Sequence, residues 1–126
     1  MDVIKSSQEI STLFAQGKRF HTPYLTLIVL EQEYDRRTQS GGRVAFIAGK
    51  KYGNAVWRNS AKRRMRELAR AVGAPLIGYD IVFLAKPKIL LAQYSLVLNS
   101  VQKAVNSIPS LSAPATRNTQ LGVENG

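Results

Sequence analysis

Apolar positions along the chain change their spacing several times, and each change marks a predicted element. Ser6-Ser7-Gln8-Glu9 has the form of a capping box, with Ser6 as N-cap and Glu9 three positions on. Ile10, Leu13 and Phe14 then share one helical face and Gly17 supplies a stop, which predicts a first helix over residues 7–16. Lys18 to His21 reads as a short strand before Pro23. Tyr24 to Gln32 reads as a stronger one. Its centre is nearly all apolar, with Leu25, Leu27 and Val29 on one face and Thr26, Ile28 and Leu30 on the other, so both faces are expected to be covered. The polar stretch Tyr34 to Gly42 ends in Gly-Gly and reads as a hairpin loop. Arg43 to Ala48 is then the returning strand, antiparallel to the one before.

Asn54 is an N-cap candidate, and no Gly or Pro interrupts from Ala55 to Val72. At roughly 100° per residue, Trp57, Ala61, Met65, Leu68, Ala69 and Val72 share one face of this second helix. Gly73, Pro75 and Gly78 end it. Tyr79 to Ala85 is an apolar strand, and Lys86-Pro87-Lys88 marks a turn. A last helix is predicted from Ile89 to Val105 or Ile108, with Leu90, Leu91, Tyr94, Leu98, Val101 and Val105 as its core stripe. From Pro109 the chain is rich in Ser, Pro, Thr and Asn and reads as a disordered tail. The order α-β-β-β-α-β-α predicts an α+β fold: a two-layer sandwich with a small, mostly antiparallel sheet, in one domain over 1–108, followed by the tail 109–126. The strands before and after the second helix are placed to pair in parallel, and such crossovers are almost always right-handed.

Charge sharpens this picture. The formal net charge is +10 and the pI about 10.3, which points to a polyanionic partner. Lys50, Lys51, Arg58, Lys62, Arg63, Arg64, Arg66 and Arg70 crowd into the second helix and its approach, against one acid, Glu67. A solvated charged face is the ordinary reading of such a run. Here the row is too poor in acids to be a set of i,i+4 ion pairs, and its self-repulsion calls for negative charge from outside. Lys50 and Lys51 also precede the helix start, where free N–H groups suit a phosphate. Nucleic acid is therefore the expected partner, and a generic basic RNA- or DNA-binding module without a role in cleavage is one form of it.

Catalytic chemistry is hard to find. His21 stands alone beside Thr22 and Pro23, and the chain has no cysteine, so no zinc site or thiolate is predicted. The serines lack a base, and Gly41-Gly42 is too short to cradle a phosphate. Glu31, Glu33 and Asp35 form the one acidic cluster. It sits where a strand runs into a loop, a place for solvated carboxylates more than for a two-metal nuclease site. No signal peptide and no membrane-spanning run is evident, so a cytoplasmic protein without membrane contact is expected.

Gly53-Asn54-Ala55-Val56-Trp57-Arg58-Asn59, followed by Ala61-Lys62-Arg63-Arg64-Met65-Arg66-Glu67, resembles the signature of the protein subunit of bacterial ribonuclease P. The preceding Arg43 to Lys51 resembles that family's strand and lysine pair. Ser60 departs from it, because the family generally has a third basic residue there. The resemblance implies a left-handed βαβ crossover, against the general rule. It implies a protein that assists a catalytic RNA in removing the 5′ leader from precursor tRNA by endonucleolytic hydrolysis. No catalytic residue and no metal site would lie on this chain, because the RNA subunit would use the Mg2+.

Lys50, Lys51, Asn54, Arg58, Asn59, Lys62, Arg63, Arg66 and Arg70 would bind ribonuclease P RNA, with one protein per RNA subunit. Arginine suits the task because its planar fork binds phosphate bidentately. A cleft for the single-stranded leader would involve Ile10, Phe14, Ile28 and Ile47, with Phe20 and Tyr24 as alternative stacking residues. Ile10 and Ile28 stand where family members more often have aromatics. By periodicity alone, all four cleft residues also read as core.

Overall fold

The computed structural model describes residues 3–31, 42–74 and 78–108. Seven elements follow the predicted order: α1 (Ser7–Gln16), β1 (Lys18–His21), β2 (Leu25–Glu31), β3 (Arg43–Ile47), α2 (Ala55–Ala71), β4 (Tyr79–Ala85) and α3 (Tyr94–Asn106). Short 3-10 turns at Lys50–Tyr52 and Pro87–Leu90 precede α2 and α3. The Ser6 hydroxyl caps α1 by accepting from the Glu9 N–H at 3.3 Å, and Asn54 caps α2 by accepting from the Trp57 N–H at 3.0 Å. Gly17 ends α1 with an extended backbone, φ −71° and ψ 151°. Glycine is needed there for closeness: an added Cβ would stand 2.6 Å from Ile28 Cγ2 and 2.6 Å from the Leu13 carbonyl.

The four strands lie in the order β1-β2-β4-β3. β2 pairs antiparallel with both β1 and β4, while β3 pairs in parallel with β4, Phe46 standing opposite Phe83. The sheet is thus mostly antiparallel and contains the expected β3-α2-β4 unit. The hairpin expectation is corrected in one respect. β3 does run opposite to β2, but β4 lies between them. The physical reason is burial. β2 and β4 are seven-residue strands apolar on both faces, and the central positions cover both. The shorter β3 takes the edge, and the N-terminal segment covers part of it: the Ile4 N–H donates to the Val44 carbonyl at 2.7 Å. Most of the predicted hairpin loop, Pro75 and the predicted tail lie outside the described residues.

Side-chain alternation across the sheet makes two cores. On one face Leu25, Leu27, Val29, Val44, Ile81 and Phe83 pack against α2 and α3, with Ala61, Met65, Leu68 and Val101 inserted from the helices. This face makes the expected sandwich of sheet and helices, and α1 adds a partial layer on the other. On the other face α1 lies alone, and Ile28, Ala45 and Val82 meet Leu13 and Ile4. One helix covers this face only in part, so Ile10, Phe14, Leu30, Ile47 and Leu84 are left half-buried.

The last helix starts later than predicted. The chain makes a 3-10 turn at Pro87–Leu90, breaks at Leu91–Gln93 and enters α3 at Tyr94. Pro87 occupies the first position of that turn, where its missing N–H costs nothing. The break frees carbonyls, and Arg64 answers them, donating from Nη1 to Ile89 O at 3.0 Å and Ala92 O at 2.9 Å. Leu91, expected in the core stripe, is 82% exposed as a result.

Candidate nucleic-acid interface

The basic surface is built on α2. Its apolar face fixes the helix rigidly: Ala61, Met65, Leu68 and Ala69 have no accessible surface. The opposite side then carries its cations at set intervals. Arg58, Lys62, Arg66 and Arg70 follow one another at i,i+4, about 6 Å apart along the axis. Arg63, Arg66 and Arg70 are exposed, as is Asn59, while Arg58 and Lys62 are half-buried. Lys50, Lys51 and Asn54 are exposed at the approach to the helix.

Among the described residues, no carboxylate lies within ion-pair distance of any of these cations. Their contacts are few and leave charge available. The Arg66 guanidinium lies 5.8 Å from the Phe46 ring centroid, Lys51 Nζ lies 5.0 Å from that of Tyr52, and Arg58 makes a long 3.4 Å bond to the Gly53 carbonyl. Arg64 differs. Besides holding the two carbonyls, it sits 5.9 Å from the Tyr94 ring centroid, so it ties α2 to α3 and does not replace the charge missing at Ser60.

The second surface lies across the sheet. Ile10 and Phe14 of α1 line a shallow concavity with Ser11 and Ala15. Ile47 belongs to the same apolar cluster from β3. Ile28 also belongs to it but has no exposed surface; it supports the others from beneath. Phe20 and Tyr24 are half-buried against the opposite core, away from this cluster.

Two arginines that sequence reasoning did not single out hold α1 in place. Arg43 donates from Nε and Nη2 to the buried Asp80 carboxylate, at 3.3 and 2.8 Å, and from Nη1 and Nη2 to Glu9, at 3.3 and 2.9 Å. The bonds to Asp80, then those to Glu9, raise the Arg43 pKa above its ordinary value despite partial desolvation. Glu9 is therefore more than a partner in the capping box. Arg19 donates to the Phe14 carbonyl at 3.1 Å and lies 5.6 Å from the Phe14 ring centroid. A basic residue just past the Gly17 stop is a legible signal for such a C-terminal contact.

His21 is exposed at the end of β1, hydrogen-bonded to Thr26 Oγ1 at 3.1 Å. Glu31 is exposed at the end of β2, while Glu33 and Asp35 lie outside the described residues. Among the described residues, no group of three His, Cys, Asp or Glu side chains is placed to hold a metal ion. No described helix is long and apolar enough to cross a membrane.

The family model for ribonuclease P matches residues 2–109. The chain belongs to the ribonuclease P protein family. It is 31% identical over 108 residues to the ribonuclease P protein component of Nitratiruptor sp., covering 86% of this chain and 93% of that one. It is 36% identical over 84 residues to that of Natranaerobius thermophilus, covering 66% and 69%.

Among solved structures, the RNase P protein from Thermotoga maritima superposes with a TM-score of 0.70 at 20% identity, over 86% of this chain and 98% of that one. The Staphylococcus aureus RNase P protein gives 0.68 at 20% identity, over 84% and 94%. These likenesses establish the fold. Family membership makes the chain a protein component of the ribonuclease P endonuclease, acting in tRNA processing with ribonuclease P RNA as its partner.

Proposed function

We propose that this ribonuclease P protein binds the catalytic RNA through the outer side of α2 and the 5′ leader of precursor tRNA through the α1 side of the sheet. The observation that carries the reading is the α2 row itself: a rigid helix whose outward cations have no described carboxylate partner. Such a row is destabilised by its own repulsion until phosphates neutralise it, and each neutralised phosphate releases counterions. Lys50, Lys51, Arg58, Lys62, Arg63, Arg66 and Arg70 supply the charge. Asn54 and Asn59 add exposed amides at the helix start. The folded shape of the RNA, more than its sequence, sets the register.

The leader is a single strand and needs an apolar platform with some charge nearby. Ile10, Phe14 and Ile47 are half-exposed for that purpose, with Ile28 as the floor and Arg19 beside the Phe14 ring. Phe14 is the one aromatic of that set, so it takes the stacking role. One protein acts with each RNA subunit, the RNA supplies the catalytic Mg2+, and the chain does its work in the cytoplasm.

The test is cleavage of precursor tRNA by a bacterial ribonuclease P RNA at low magnesium, with and without the protein. Cleavage at the mature 5′ end only when both are present is the expected result. Equal cleavage with and without folded protein would remove the assisting role.

A further inference from the structure

The turn that feeds α2 carries a feature the phosphate row does not use. Tyr52 is 39% exposed, although it is a large aromatic on a small domain. Its ring meets that of Trp57 edge-on, with centroids 6.3 Å apart and planes at 72°. Lys51 Nζ stands 5.0 Å from the Tyr52 ring centroid. The backbone passes close to the indole. A Cβ added at Gly53 would stand 2.8 Å from Trp57 Cβ and Cγ, so any larger residue there would displace the indole. Val56, in the first turn of α2, is 74% exposed and extends the apolar surface among the cations.

An exposed tyrosine held edge-on by a half-buried tryptophan, with a lysine beside it, is a good stacking surface. Bases stack on such rings whatever their identity, and the adjacent cation holds the strand's phosphate. We infer that Tyr52, backed by Trp57 and flanked by Lys51, is a stacking site for an unpaired nucleobase of the ribonuclease P RNA. The inference rests on the reading of α2 as the phosphate-binding side. The source is the catalytic RNA because Tyr52 stands on the turn leading directly into that row, not on α1 or in its apolar cluster.

The test measures binding of the full chain to a bacterial ribonuclease P RNA without precursor tRNA, across a range of salt. Trp57 is the one tryptophan in the chain, so its emission reports on this site directly. Saturating RNA is expected to quench it. Tyr52→Leu is expected to weaken binding about tenfold with an unchanged salt slope, because stacking releases no counterions. Tyr52→Phe keeps the ring and is expected to bind within about twofold of the parent.

Unquenched Trp57 emission at saturation, or parental affinity in Tyr52→Leu, overturns the inference. So does a slope that falls in Tyr52→Leu as in a lysine variant, since the ring would then act only by placing Lys51. Arg58→Ala separates the two readings: a flattened salt slope there with no effect at Tyr52 keeps the phosphate row and removes the stacking site. An unchanged slope in Arg58→Ala counts against the row itself.

Discussion

Phe46 and Ile47 are neighbours on β3, yet they serve opposite sides of the molecule. Phe46 lies beneath Arg66 on the α2 side, and Ile47 joins Ile10 and Phe14 on the α1 side. The two sides also treat their arginines differently. Arg43 and Arg19, which hold α1, are engaged with Asp80, Glu9 and the Phe14 carbonyl. Arg63, Arg66 and Arg70, exposed on α2, have no described carboxylate beside them. On the α1 side, charge fixes the structure and apolar surface is left half-open. On the α2 side, apolar packing fixes the structure and charge is left open. On the function proposed above, each side leaves exposed the group its RNA partner needs: an apolar platform for an unpaired strand, cations for a folded one. Arg64 marks the limit of the rule, since it lies on α2 but braces the start of α3.

Breaking the α1 side at its anchor should have the largest effect. Arg43→Ala breaks the ion pair to Asp80, which is only 1% exposed, and is expected to cost on the order of 3 kcal/mol in urea unfolding. Its RNA-binding salt slope should stay parental; a changed slope would mean that the two sides are not independent. Phe14→Ala comes next. It should weaken binding of precursor tRNA to the holoenzyme roughly tenfold while leaving mature tRNA unaffected. An equal loss for both substrates would return Phe14 to a purely structural role.

Arg58→Ala and Lys62→Ala should each lower the salt slope of RNA binding by about one phosphate contact. A slope identical to the parent's would strike that residue from the row. Ser60→Arg should add a comparable contact without moving the melting temperature, and weaker binding would show that the row has no room for it there. Smallest of all, truncation after Ile108, the last described core residue, should leave the melting temperature unchanged. A clear drop would mean that residues beyond it pack on the domain.

Much of this was readable before any coordinates. The caps Ser6 and Asn54, the two-faced apolar strand at Leu25 to Leu30 and the buried stripe of α2 are local patterns, and the local backbone obeys them. Where local pattern misled, the deciding contact came from far away. Leu91 fits the helical stripe, but Pro87 and the reach of Arg64 over more than twenty residues favour a turn and a later helix. Exposure is set from a distance too: Gly17 brings α1 so close to Ile28 that none of its surface is left open.

The sequence by itself determined the elements, their amphipathic faces, the concentration of positive charge on one helix and, through Gly53 to Glu67, the family. These depend on neighbours within a turn or two, which the chain states directly. Only the tertiary structure decided that β4 enters between β2 and β3, that α1 stands alone on its face, and which arginines are engaged. Those outcomes depend on which strands can bury both faces and on which carboxylates and carbonyls arrive within about 3 Å of a guanidinium. Arginines of identical chemistry become brace or free charge only when distant segments meet.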